Sequence, residues 1–182
     1  MTKITTERLI LRNFQEKDAE DLFDYLSKPS VNCFSKEKIN TLEEALSEAK
    51  KRSNDAFQLA IELSQDNKVI GHVFADFKKP DTYAVGWQFN ENYGGKGYAT
   101  EAASALFTYL FDQKEARRIY AYVEDDNFPS QKLCERLGMR KEGCFQEFIS
   151  FVNHADGTPK YENTYQYAIL KKEWALQQRN QD

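Results

Sequence analysis

Residues 90–103 read Asn-Glu-Asn-Tyr-Gly-Gly-Lys-Gly-Tyr-Ala-Thr-Glu-Ala-Ala, which sets glycines 94, 95 and 97 between an aromatic run and an amphipathic one. Glycine reaches backbone angles closed to other residues, and a helix starting just beyond it points unpaired N–H groups and a positive dipole end forward. That combination seats an anion, a phosphate above all. The same composition also suits a tight turn that uses glycine for geometry alone. Lys96 is followed by Gly97 and Tyr98, so neither Gly-Lys-Ser/Thr nor Gly-x-Gly-x-x-Gly is present, and a nucleotide-phosphate binder is disfavoured.

Asn127 and Ser130 form a second constellation, three residues apart ahead of a short apolar-periodic segment. Both types suit a helix N-cap and first turn, and both could hydrogen-bond a ligand. Cys33, Cys134 and Cys144 have neither framework nor knuckle spacing and read as free thiols in a reducing compartment. His72 and His154 lie far apart without carboxylate or thiolate neighbours at ligand spacing, so no metal is expected. His72 alternates with Ile70 and Phe74, as a hydrogen-bonded histidine inside a sheet would.

The balance of 25 Lys+Arg against 29 Asp+Glu, a net charge of −4, provides no footprint for nucleic acid or an anionic membrane and suits a basic partner. There is no apolar leader, and no run approaches the roughly 18 apolar residues of a membrane span, so a cytoplasmic location is expected.

These residues need elements to hold them. Arg8–Phe14 alternates as a strand, and a helix follows with Ala19, Leu22, Phe23 and Leu26 on one side. Thr41 with Glu44 makes a capping box for a second helix, carrying Leu42, Ala45, Leu46 and Ala49 inward and ending near Asn54. Phe57–Leu63, Val69–Phe77 and Tyr83–Phe89 form a meander that runs into the glycine turn. The helix after Gly97 should bury Ala99, Ala102, Ala103, Leu106 and Leu110 and reach about Gln113. Arg118–Val123, a short helix over Ser130–Leu137 closed by Gly138, and strands over Cys144–Val152 and Tyr161–Leu170 complete the chain. The order β-α-α-β-β-β-α-β-α-β-β predicts an α+β (mixed α/β) fold. Its central sheet would be mixed and mostly antiparallel, with about seven strands and about four helices. One domain is expected over residues 1–182, with its core in 7–174 and a frayed tail at 177–182. The glycine turn lies at the carboxyl end of a central strand, where open sheets favour ligands.

Three blocks resemble the GNAT superfamily of acyl-coenzyme-A-dependent N-acetyltransferases, and most of all its RimJ/RimL-like branch of ribosomal-protein N-terminal acetyltransferases. They are Thr6–Arg12, Tyr93–Ala102, and Asn127-Phe128-Pro129-Ser130 through Leu137-Gly138-Met139. The resemblance implies a three-layer fold and acetyl-coenzyme A as co-substrate, without a metal. It lays the pyrophosphate on main-chain N–H groups of Gly95, Lys96, Gly97, Tyr98, Ala99 and Thr100. It pairs the pantetheine arm with Gln88, Phe89 and Asn90, which would splay from the next parallel strand. Asn127 would hold the arm's amide, and Ser130 would donate a proton to the departing thiolate. Gly94 departs from the pattern, standing where the superfamily often has Gln or Arg and the branch often has Trp. Relatives occur as monomers and dimers, so a homodimer is among the implied partners.

Acetyl transfer needs a neutral amine, a polarised thioester carbonyl and a proton for the leaving thiolate. A protein α-amine titrates near about 8 and a lysine near about 10.4, so an α-amine asks less of a base. RimL-like enzymes carry a glutamate at the position that is Ile149 here. Glu147, two residues earlier, would share that strand face by period two and could hold a water against the amine; the other reading is a solvated surface carboxylate. For Glu101 the helix dipole is a sufficient explanation. Tyr120, Tyr122, Trp87 and Cys134 read as packing residues. The expected activity is acetyl transfer to a protein N-terminal α-amine. Acetylation of a polyamine, an aminoglycoside or an amino-acid-like toxin, and a non-catalytic acyl-coenzyme-A-binding module, remain as alternatives.

Overall fold

The computed structural model describes residues 3–29 and 31–179. The strands are β1 (Lys3–Thr5), β2 (Leu9–Asn13), β3 (Gln58–Leu63), β4 (Val69–Lys78), β5 (Thr82–Phe89), β6 (Arg118–Glu124), β7 (Arg140–Asn153) and β8 (Pro159–Leu170). The α-helices are α1 (Ala19–Leu26), α2 (Leu42–Ser53), α3 (Tyr98–Gln113), α4 (Phe128–Arg136) and α5 (Lys171–Arg179). The strands follow the order β1-β2-β3-β4-β5-β6-β8-β7, a mixed sheet as expected with one strand more. The addition is β1, whose three residues are too few to show a period in sequence. A fifth helix, α5, takes in Gln177–Arg179; residues 180–182 lie outside the described residues. Among the described residues no helix is long and apolar enough to cross a membrane.

The chain forms two compact units, one running to Ala75 and including Trp87–Leu106, the other made of Asp76–Gly86 and the residues from Phe107 onward. In the first unit β1 to β4 form an antiparallel meander with Ile4 opposite Leu11, Leu11 opposite Ile61 and Leu59 opposite Val73. Its core gathers Phe14, Leu22, Leu26, Ala45, Ala49 and Ala60. Thr41 Oγ1 accepts from Glu44 N at 3.1 Å, and Glu44 answers by accepting from Asn40 N at 2.7 Å, so the cap predicted for α2 forms one residue wider. Leu42 and Leu46 are not inward: they are 48 % and 44 % exposed. The buried line of α2 is Ala45, Ala49 and Arg52, and Leu46 lies about 100° around the helix from Ala45.

In the second unit β6 pairs antiparallel with β8 along all seven of its residues, and β8 with β7. The parallel ladder of β5 with β6 runs over Thr82–Ala84 against Arg118–Tyr120. Trp174 on α5 packs its ring 5.6 Å from Phe107 and 6.2 Å from Phe111, both on the second half of α3. That single anchor explains why α5 lacks an apolar stripe in sequence.

Candidate functional site

In the first unit β5 ends at Phe89 and Asn90 acts as a corner post, only 4 % exposed. Its N–H donates to Ile70 O at 2.8 Å, its Nδ2 to Asp24 Oδ2 at 2.8 Å, and its Oδ1 accepts from Asn92 N at 3.0 Å. A 3₁₀ turn over Glu91–Tyr93 leads into the glycines. Gly95 and Gly97 take φ of 74° and 80°, the left-handed region that disfavours a side chain, whereas Gly94 has an ordinary φ of −64°. A Cβ on Gly95 would meet nothing within 4 Å, so this stretch of main chain stands open to a ligand. The first-turn N–H groups of α3 begin at Tyr98, so the turn has the donors and dipole that an anion needs.

A clamp that neither block reveals alone holds this turn. Glu101 Oε1 accepts from Thr6 Oγ1 at 2.6 Å and Arg8 N at 2.9 Å, and Oε2 accepts from Arg8 Nε at 2.7 Å. Arg8 Nη1 then donates to Lys96 O at 2.9 Å, and the guanidinium carbon lies 4.6 Å from the centre of the Tyr98 ring. Glu101 therefore does more than offset the helix dipole. Burial alone would raise its carboxyl pKa, but the hydrogen bonds from Thr6 and Arg8 outweigh that and hold it below the usual range.

His72 is 1 % exposed, with Nδ1 3.1 Å from Tyr25 Oη and Nε2 3.1 Å from Arg52 Nη1. Arginine only donates, so Nε2 accepts and the ring proton sits on Nδ1. Burial first, and the Arg52 charge second, keep this histidine neutral well below its ordinary pKa. It is a sheet histidine engaged at both nitrogens, as its alternation predicts. Trp87 is buried, and so is Gln88 at 7 % exposure. Gln88 Oε1 has no hydrogen-bond partner among the described residues, and the residue lines a cavity of about 200 Å³ with Asp24, Tyr25, Phe89 and Asn90.

In the second unit Asn127 caps α4, its Oδ1 accepting from Ser130 N at 3.3 Å. Its own N–H donates to Glu124 O at 3.1 Å, and Gln131 Nε2 donates to the same oxygen at 3.1 Å. The capping reading of this pair is therefore realised, with Ser130 half-buried in the first turn. Cys134 is fully buried, and desolvation pushes its thiol up to about 12, so it is no nucleophile at neutral pH.

The period-two argument for Glu147 fails. Phe145 stands opposite Thr164 and Ile149 opposite Glu162, so three residues of β7 face one of β8. Glu147 sits in this bulge at φ 46°, exposed, with its N–H donating to Asn163 Oδ1 at 2.9 Å. The bulge also brings Phe145 and Phe148 together with ring centres 5.0 Å apart, both within 6 Å of Tyr122. Tyr122 is 45 % exposed and is not a buried packing residue. Sequence reasoning also passed over Glu124, Glu162 and Thr164, which are buried at 8 %, 4 % and 1 % exposure.

A mixed sheet in this order, with an open anion-seating turn between β5 and α3, defines the class of acyl-coenzyme-A-dependent acetyltransferases. The profile of the Acetyltransferase (GNAT) domain matches residues 8–140, and the chain belongs to the GNAT acetyltransferase family, whose members use acetyl-coenzyme A. It is 37 % identical over 173 residues to the N-acetyltransferase YnaD of Bacillus subtilis (strain 168), covering 94 % of this chain and 98 % of that one. A GNAT-family acetyltransferase of Bacillus anthracis superposes with a TM-score of 0.84 at 35 % identity, covering 94 % of this chain and all of the other. At 24 % identity over 165 residues, 81 % of this chain and 82 % of the other, it is also similar to the [ribosomal protein uS5]-alanine N-acetyltransferase of Escherichia coli (strain K12). The chain is an N-acetyltransferase.

Proposed function

We propose that this N-acetyltransferase moves acetyl from acetyl-coenzyme A by direct attack of a primary amine, and that the acceptor is a protein N-terminal α-amine. The observation that carries the coenzyme site is the open, left-handed Gly95–Gly97 turn held by Arg8 and Glu101. The pyrophosphate rests on the N–H groups of Gly95 to Thr100. Gln88, Phe89 and Asn90 receive the pantetheine arm, an assignment supported by the buried Gln88 Oε1, which has no hydrogen-bond partner among the described residues. Asn127 meets the arm's amide through the part of its side chain not spent on capping.

In the transfer, the amine nitrogen bonds to the thioester carbon and the C–S bond breaks. The leaving thiolate takes a proton from the Ser130 hydroxyl, which regains one from solvent. The amine proton passes to solvent water, since Glu147, exposed in the β7 bulge, has lost the strand-face argument for a base. A ribosomal-protein terminus is the favoured acceptor because the similar Escherichia coli enzyme acts on ribosomal protein uS5, and because an α-amine is substantially neutral near pH 8.

Thiol release from acetyl-coenzyme A, measured across N-terminal peptides, polyamines and aminoglycosides, tests this. Peptides should lead by at least tenfold in kcat/KM. A polyamine or aminoglycoside in front would overturn the acceptor assignment, and coenzyme binding with no turnover across the panel would overturn the catalytic one. Ser130→Ala should keep coenzyme affinity and lose about 100-fold in kcat; turnover at the parent rate would remove the proton-donor role.

A further inference from the structure

Gly71 is the third residue of β4, buried in the run Val69-Ile70-Gly71-His72-Val73, where a residue without a side chain weakens the strand and fills none of the core. Two features of the backbone account for it. Ile61 of β3 stands opposite Gly71 while Glu62 stands opposite Val69, so Ile70 is an extra residue on β4 and forms a bulge. The Ile70 carbonyl accepts from Asn90 N at 2.8 Å, which ties the chain at the end of β5 to that bulge. The second feature is close approach. A Cβ placed on Gly71 would lie 2.4 Å from Gln88 O, 2.9 Å from Phe89 Cα and 3.1 Å from Phe89 Cδ1.

The two nearest of these atoms belong to the main chain, so no change of rotamer relieves the contact. To admit even a methyl group, Gln88 O would have to withdraw from 2.4 Å to the 3.4 Å at which ordinary contact begins, a shift of about 1 Å. Gln88, Phe89 and Asn90 also wall the cavity of about 200 Å³ that Asp24 and Tyr25 line from α1. The missing side chain of Gly71 therefore sets where one wall of that cavity stands.

We propose that Gly71 is a positioning residue for acetyl transfer. By carrying no side chain it lets the end of β5 lie against β4, and so fixes where Gln88, Phe89 and Asn90 present their main chain to the pantetheine arm. It acts through the strand end rather than by touching the reacting atoms. The thioester sits at the tip of that arm, and a misplacement of about 1 Å in what holds a reacting group can cost about 100-fold in rate. The role rests on the assignment of the arm to Gln88, Phe89 and Asn90 made above, and it names the residue that sets their place.

The test compares coenzyme A with 3′-phospho-ADP, which is the coenzyme without its arm. Gly71→Ala should raise the coenzyme A Kd about tenfold and leave the 3′-phospho-ADP Kd within about twofold. With the leading amine of the panel above, kcat/KM should fall about 100-fold. A Cβ on Gly143, in β7, would meet nothing within 4 Å, so Gly143→Ala is the control and should leave all three constants unchanged. Equal weakening of both ligands by Gly71→Ala marks a general loss of structure and overturns the role, and so do parent constants in that variant. The two Kd values decide the role even where no amine turns over. Nuclear magnetic resonance of the unaltered protein needs no variant to fold: coenzyme A should shift the amide signals of Gly71 and of Gln88, Phe89 and Asn90, and 3′-phospho-ADP should leave them in place. A coenzyme A shift in the β5 signals that leaves Gly71 unmoved overturns the positioning role alone. No difference between the two ligands at any of the four residues overturns the arm assignment and the role with it.

Discussion

Glu101→Gln keeps the side chain's length while removing the charge that gathers Thr6 and Arg8. One amide oxygen can still accept from Thr6 Oγ1 and Arg8 N, but the new NH₂ then faces the Arg8 Nε that now donates at 2.7 Å. A fully buried charge-assisted hydrogen bond contributes about 1.5–3 kcal/mol. Arg8 is 43 % exposed, so solvent screening reduces the expected loss to about 1–2 kcal/mol. At roughly 2–4 °C per kcal/mol for a chain of this size, Tm should fall by about 2–8 °C. Arg8 also holds Lys96 O, so the turn loosens and the coenzyme A Kd by titration calorimetry should rise about fivefold. The pH dependence has a definite sign. The folded-state pKa of Glu101 lies below its unfolded value of about 4.3, so its contribution is full above that pH and disappears as pH falls through the folded value. The Tm gap between parent and variant should therefore close below about pH 4. A Tm within 1 °C of the parent at pH 7, with unchanged coenzyme affinity, would refute the clamp.

Gly97→Val places a β-branched residue at φ 80° with its Cβ 3.4 Å from Arg8 Nη2, so calorimetry should detect no coenzyme A binding at concentrations that saturate the parent. His72 is held neutral when folded but protonates near about pH 6.5 when unfolded, so stability should fall as pH drops through that value, by up to about 1.4 kcal/mol per unit. Urea melts from pH 7 to 5 should show a shallower dependence for His72→Gln; equal slopes would mean that the ring titrates when folded. Iodoacetamide at pH 7.5 should label exposed Cys144 and leave buried Cys134 unlabelled until the protein is denatured, as read by peptide mass.

Much of the site's frame was legible because it is local. The capping pair Thr41 and Glu44, the meander of β3 to β5, the start of α3 at Tyr98 and the Asn127 cap depend on residues a few positions apart. Two short-range arguments misled. Period two assumes an unbroken strand, and the bulge that gives Glu147 its φ of 46° breaks it. Apolar spacing put Leu42 and Leu46 inside, whereas the small alanines of α2 make the contact and the leucines stay exposed. β1 and α5 carried too little pattern to be found: the first is three residues long, and the second is anchored by Trp174.

The sequence by itself determined the mixed fold, the glycine turn at a strand end and the family resemblance, because propensity, capping and backbone freedom act over a few residues. Only the tertiary structure decided that Arg8 and Glu101 share one clamp and that His72 is sealed between Tyr25 and Arg52. Those pairings join residues distant along the chain. They follow from strand register and burial, which are set by the whole core.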